Sequence, residues 1–213
     1  MSKCPQSDQY LGDLMRRYPQ LAACRDDIIA ACEMLGNCYR SSNKALICGN
    51  GGSAADCEHW AGEMLKGFIC RRPVARENYP NLPADLANGL QCALPMIPLT
   101  GFTSLSSAFA NDVDPKLIFA QLVWALAKEG DVVIGISTSG NSPSVRCAMQ
   151  AAAAAGARTL GLTGSTGGRL AELCDVCIKA PADKTYMIQE LHLPIYHTLS
   201  LMLEAEFFPP RAD

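Results

Sequence analysis

The chain has 213 residues, 49% hydrophobic and 18% charged, with a formal net charge of -3 and 11 cysteines. That length supports one large domain with a real core, and the mild acidity, with no block of Lys and Arg, excludes a general grip on nucleic-acid phosphates. The opening residues lack the apolar segment of a signal peptide, and no window approaches the roughly 18 apolar residues of a membrane span. A cytoplasmic protein with no membrane contact and reduced cysteines is therefore expected.

Taken in order, residues 7–18 and 20–42 read as two helices broken at Pro19, the second with Ile28, Cys32, Leu35 and Tyr39 on one stripe. They make an N-terminal extension, residues 1–43, that packs on the core or on a partner subunit. Strands at 45–48, 96–100, 131–137, 158–163 and 175–179 then alternate with helices at 53–66, 104–110, 114–128, 142–156, 168–173 and 185–207. The strands are short apolar runs without alternation, the pattern of a parallel sheet covered on both faces. The expected fold is α/β, a three-layer αβα sandwich around a five-stranded parallel sheet, spanning residues 44–213. From about 74 to 94 the periodicity is lost in a proline-bearing connection, with a helical turn or two after Pro83. A link this long is more often functional than idle.

Two loops carry the chemistry. Gly49-Asn50-Gly51-Gly52-Ser53 lies between a strand and a helix start, where glycines admit an oxyanion and free N–H groups and the helix dipole attract it. Ser137-Thr138-Ser139-Gly140-Asn141-Ser142 repeats that geometry with hydroxyls, which suits a phosphate monoester; a plain capped loop would use similar residues. Ligands of open α/β sheets bind at the edge where both loops fall. One turn into the first helix, His59 and Glu63 stand four residues apart and share a face. All three histidines, His59, His192 and His197, fall in this helix and the last one. Cys174 and Cys177 are the one close cysteine pair, but nothing completes a zinc set around them, and they read as small hydrophobes.

These motifs, with Leu162-Thr163-Gly164 and Ile188-Gln189-Glu190, resemble the sugar isomerase (SIS) family from about residue 20 to 207, and within it the phosphoheptose isomerases. The resemblance implies a flavodoxin-like SIS domain and a cytosolic homotetramer. It also implies conversion of D-sedoheptulose 7-phosphate to D-glycero-D-manno-heptose 7-phosphate, a step toward the heptose of lipopolysaccharide. By position it assigns Asn50, Gly51, Gly52, Asn111 and Asp112 to the substrate and Ser137, Thr138, Ser139 and Ser142 to its phosphate, with Ser53 beside them. It assigns His59, Glu63, Gln189 and His197 to one zinc ion per subunit, and Glu63 and His197 to acid/base catalysis. His192 matches no family role and reads as structural. The chain departs from the family at Tyr186 and Met187, where an acidic or small residue and Arg are usual, and in the extra length at about 74–94.

The chemistry agrees with these types. An aldose–ketose isomerisation needs a base for a carbon-bound proton, an acid/base for two oxygens and a group to stabilise an oxyanion. Gln189 and His197 are eight residues apart, about 12 Å of helix rise. One metal does not take both from a straight helix; Pro194 could kink it, but the expected arrangement is a homotetramer with active sites at subunit interfaces. Two other readings stay open: a non-catalytic SIS protein that associates with a replication initiator, which would lack Glu63 and His197, and an isomerase of a different sugar phosphate.

Overall fold

The computed structural model describes residues 5–209. Five parallel strands, β1 (Ala45–Gly49), β2 (Met96–Pro98), β3 (Val132–Ile136), β4 (Arg158–Thr163) and β5 (Val176–Lys179), form one sheet in the order β2-β1-β3-β4-β5. The chain is a three-layer α/β sandwich, as the sequence implies. Every residue of β1 and β3 is buried, which explains the missing alternation. The side chains do alternate, but between two cores. Ala45 and Ile47 join one with Ile134 and Leu160, while Leu46 and Cys48 join the other with Val133 and Val145.

The first core is covered by α1 (Pro5–Arg17), α2 (Arg25–Arg40), α3 (Gly52–Leu65) and α9 (Thr185–Phe207), and the second by α6 (Ile118–Leu126) and α7 (Pro143–Ala154). Of the other helices, α4 (Ala84–Gly89) and α5 (Thr103–Asp112) lie toward the surface, and α8 (Leu170–Leu173) is a single turn before β5. The N-terminal helices lie on this chain's own core, where the Ser7 hydroxyl donates to the Met202 carbonyl at 3.0 Å. The expected helix over 20–42 is shorter. Pro19–Cys24 makes a 3-10 turn, and α2 starts at Arg25, where Asp26 and Asp27 in the first turn favour a helix N-terminus. The start expected at Asp114-Pro115 is real but tight. The Asp114 carboxylate accepts from the Lys116 N–H at 2.8 Å over a 3-10 turn, and α6 follows.

The stretch at 74–94 is an excursion tied at its base, where Pro73 bridges Gln91 and the Cys92 N–H donates to the Arg72 carbonyl at 2.7 Å. Arg72 is itself buried. It gives Nε to Glu204 Oε1 at 2.8 Å and Nη1 to the Met64 carbonyl at 2.8 Å. Glu204 also accepts from the N–H groups of Phe68, Ile69 and Cys70 at 2.7, 3.0 and 3.2 Å. Burial would raise the Glu204 carboxyl, but those N–H groups and the guanidinium hold it below its ordinary value. The ten cysteines among the described residues are free. Cys174 and Cys177 pack around Gly161, and burial raises the Cys174 thiol to about 12, so both act as small hydrophobes.

His192 is a structural residue, as expected. It is fully buried, and its Nε2–H donates to the Thr163 carbonyl at 3.1 Å, fastening α9 to the end of β4. Burial lowers it to about 4 from 6.5. Below pH 6.5 the unfolded chain takes up this proton and the folded one does not, so stability is full above that pH and falls as pH drops toward 4. Acid titration of unfolding is expected to show a loss of about 3 kcal/mol in that window, with a smaller slope in His192→Gln. Arg72→Met, which strands the Glu204 charge, is expected to cost about 3–5 kcal/mol in denaturant unfolding; a loss below 1 kcal/mol would show that the ion pair is not structural.

Candidate active site

The strand order reverses between β1 and β3. β1 feeds α3 on one face of the sheet and β3 feeds α7 on the other, so a crevice opens beyond their carboxyl ends. Asn50 spans it, donating Nδ2 to the hydroxyls of Ser142 and Ser144, each at 3.0 Å. Gly51 has φ 58 and ψ -123, a backbone open only to glycine. At Gly52 a Cβ would stand 2.6 Å from Gln189 Nε2, so this glycine lets the last helix approach the loop. Ser53 is buried at 4% exposure, whereas Asn50, Gly51 and Gly52 face solvent.

The opposite wall is the 137–142 loop. Ser137 is buried and its Oγ accepts from the Ser142 N–H at 3.4 Å, while Ser139 Oγ accepts from the Asn141 N–H at 3.1 Å. Asn141 accepts from the Arg169 N–H at 3.2 Å, and the Thr138 carbonyl accepts from the Gly164 N–H at 2.9 Å, so the loop leans on the turn after β4. Among the described residues, the backbone N–H groups of Thr138 and Ser139 have no acceptor in the chain. With the N-terminus of the 12-residue α7 behind them, they suit an anion. Ser144 escaped the sequence reading, although its place at the start of a helix after a serine loop was a usable signal.

The third part lies two turns further along α3. His59 Nε2 is 3.4 Å from Glu63 Oε1 and 3.5 Å from His197 Nε2. The i,i+4 pair read from sequence is therefore joined, within one chain, by the histidine of α9. Phe68 closes on His197 with ring centroids 5.3 Å apart, and Tyr196 meets both imidazoles edge-on. Burial, then the neighbouring His59, lower the His197 pKa, and Glu63 opposes them, so this imidazole is neutral near pH 7. The Glu63 side chain is 16% exposed and His59 46%. Lys66 reaches the other Glu63 oxygen at 3.1 Å.

The remaining expected residues lie apart. Gln189 touches Gly52, and seven residues of α3, about 10 Å, separate Gly52 from His59. A metal held by His59, Glu63 and His197 is beyond its reach within the chain. The helix runs unbroken through Pro194, so eight residues of spacing send Gln189 and His197 to different places. Asn111 and Asp112 are exposed at the end of α5 and hydrogen-bond to each other at 2.9 Å. Tyr186 and Met187 are exposed. For zinc, ligand bonds of about 2.0–2.1 Å place tetrahedral donors about 3.4 Å apart, which matches the His59–Glu63 and His59–His197 separations. Among the described residues no three such side chains form a ready-made cage. The donor types of His59, Glu63 and His197, and the two separations from His59, nonetheless suit the ion; within one chain Gln189 lies apart from them, and a ligand role for it needs a second subunit.

The SIS domain model matches residues 103–205. The chain is 40% identical over 171 residues to the phosphoheptose isomerase of Desulfovibrio desulfuricans, an alignment covering 80% of this chain and 72% of that one. Among solved structures it is similar to a phosphoheptose isomerase from Francisella tularensis, with TM-score 0.74, 28% identity and coverage of 92% and 95%. A phosphoheptose isomerase from Neisseria gonorrhoeae gives 0.71, 31%, 91% and 94%. With its switch-point crevice, serine loop and histidine–carboxylate cluster in place, the chain belongs to the phosphoheptose isomerase family of SIS-domain proteins.

Proposed function

We propose that the protein isomerises D-sedoheptulose 7-phosphate to D-glycero-D-manno-heptose 7-phosphate. The observation that carries this is the meeting of Glu63 and His197 at His59, about 10 Å along α3 from a crevice built for an anion. In an extended heptose 7-phosphate, the reacting carbons and the phosphorus are on the order of 9 Å apart by standard bond lengths. With its phosphate on Thr138, Ser139 and Ser142, a substrate lying along α3 has a length comparable to the rise of about 10 Å from Gly52 to His59. Glu63 removes a C1 proton and returns it to C2 through the enediol, while neutral His197 carries a proton between O1 and O2. Gln189, whose amide lies beside Gly52, holds the hydroxyls between. Zinc on His59, Glu63 and His197 would supply Lewis-acid stabilisation of the enediolate oxygen. The replication-initiator reading lacks support here, since the two residues it would do without form the cluster.

We further propose a cytoplasmic homotetramer whose product feeds heptose activation for lipopolysaccharide. Free, largely buried cysteines favour a reducing compartment. Among the described residues, no helix is long and apolar enough to cross a membrane. Phe102 just before α5, Val113 and Leu117 in the turn after it and Trp124 on α6 are exposed, Trp124 by 63%, apolar surface that suits contact with another subunit.

Glu63→Gln and His197→Ala are each expected to lower turnover of sedoheptulose 7-phosphate at least 100-fold with an unchanged melting temperature. Wild-type protein that forms no heptose 7-phosphate, or variants that retain turnover, would sink this function. Chelator is expected to lower activity and added zinc to restore it; full activity in metal-free protein rejects the zinc assignment alone. Sedimentation is expected to show four copies for the wild type and fewer for Trp124→Glu, and a monomeric wild type would reject the tetramer.

A further inference from the structure

Tyr196 takes no part in the proton transfers above, yet it is a large polar side chain fully buried against the cluster. Its ring stacks on Trp60 at 5.6 Å and 18° and meets His59 and His197 edge-on. That packing leaves the hydroxyl one place to go. It lies 2.9 Å from His59 Nδ1 and 3.4 Å from Asp56 Oδ1. Asp56 and His59 are three residues apart on α3, so one hydroxyl arriving from α9 touches both.

A phenol has one proton to donate. Among the described residues, Tyr196 is the hydrogen-bond donor that reaches Asp56, whose other oxygen, Oδ2, is buried without a partner. Turning the proton toward His59 would leave a half-buried carboxylate with no donor, an expensive arrangement. Donating to Asp56 instead leaves the phenolic oxygen to accept from His59 Nδ1–H. The imidazole then carries its proton on Nδ1, and Nε2 offers a lone pair. On the far side of the ring, Nε2 stands 3.4 Å from Glu63 Oε1 and 3.5 Å from His197 Nε2.

We propose that Asp56 and Tyr196 are positioning residues that fix His59 as its Nδ1–H tautomer, so that Nε2 faces Glu63 and His197 as an acceptor. The other tautomer would donate Nε2–H to Glu63 and occupy the carboxylate that must take the carbon-bound proton. An acceptor at Nε2 leaves Glu63 free, and it accepts a sugar hydroxyl or a metal ion. Side chains that orient a functional histidine through its second nitrogen commonly act this way; here a tyrosine stands between the histidine and the carboxylate. The inference rests on the reading of this cluster as the reaction centre.

The test is nitrogen-15 NMR of the full-length protein labelled at histidine, treated with chelator so that no metal selects the tautomer. Wild-type His59 is expected to show a protonated Nδ1 and a bare Nε2. Tyr196→Phe keeps the stacked ring and is expected to move the proton to Nε2. It should also lower kcat about tenfold with KM within twofold. Asp56→Asn should do the same, and the double variant should be no worse than either single one. A wild-type His59 already protonated at Nε2, or a tautomer unmoved in both variants, would overturn the proposal. Should Tyr196→Phe fail to fold, the wild-type spectrum and Asp56→Asn still decide it. Absence of sedoheptulose 7-phosphate turnover would reject the assigned substrate, while the tautomer readout would still decide this inference.

Discussion

The arrangement depends on the carboxylate of Glu204. It is 2% exposed and sits where the end of α3, the turn after it and α9 meet. Three consecutive N–H groups and the Arg72 guanidinium converge on its two oxygens, and Arg72 also serves the carbonyls of Glu63 and Met64 at the close of α3. A buried ion pair is a poor source of stability unless its remaining hydrogen-bonding capacity is filled. Here much of that capacity is filled by backbone groups, so the pair fixes geometry. It locks α3 and α9 side by side at the end where Glu63 lies, and Gly52 does so at the other end by admitting Gln189.

Between these two fastenings the helices run in the same direction, with Gly52 beside Gln189 and His59 beside His197. The seven residues on α3 and the eight on α9 advance by nearly the same rise, which is why the two contacts occur together. The reactive groups thus inherit their spacing from helix geometry. The sheet adds the second coordinate. Pairing of Gly49 with Ile136 puts the glycine and serine loops side by side, and Asn50 closes the gap between them.

Most of this frame was legible in the sequence. The strand at β3 showed as an apolar run, both loops showed as turn chemistry between a strand and a helix, and His59 and Glu63 showed as an i,i+4 pair. The eight residues between Gln189 and His197 implied separate positions on a straight helix, and α9 runs unbroken through both. What stayed hidden was contact between distant parts of the chain. Arg72 and Glu204 are 132 residues apart and Tyr196 and His59 137, and no local period encodes either. Neither Arg72 nor Tyr196 stands in a local motif that marks its distant partner. The 3-10 turn at Pro19–Cys24 was missed for another reason: its residues have no strong preference against helix, and the tight turn is set by Leu21 and Cys24 reaching the core.

The site also has a gradient of wetness that fits its two tasks. Asn50, Gly51, Gly52 and Ser139 are exposed, so a phosphate placed among them keeps much of its hydration and is held by N–H groups and hydroxyls rather than by a buried cation. At the far end, Trp60, Phe68 and Tyr196 surround the imidazoles, and the Glu63 side chain is only 16% exposed. A carbon-bound proton and the enediolate it leaves are best handled where bulk water is kept out; a phosphate dianion would be penalised by the same surroundings. Separating the two by about 10 Å of helix lets one chain provide both environments. It also favours a substrate long enough to reach from one to the other.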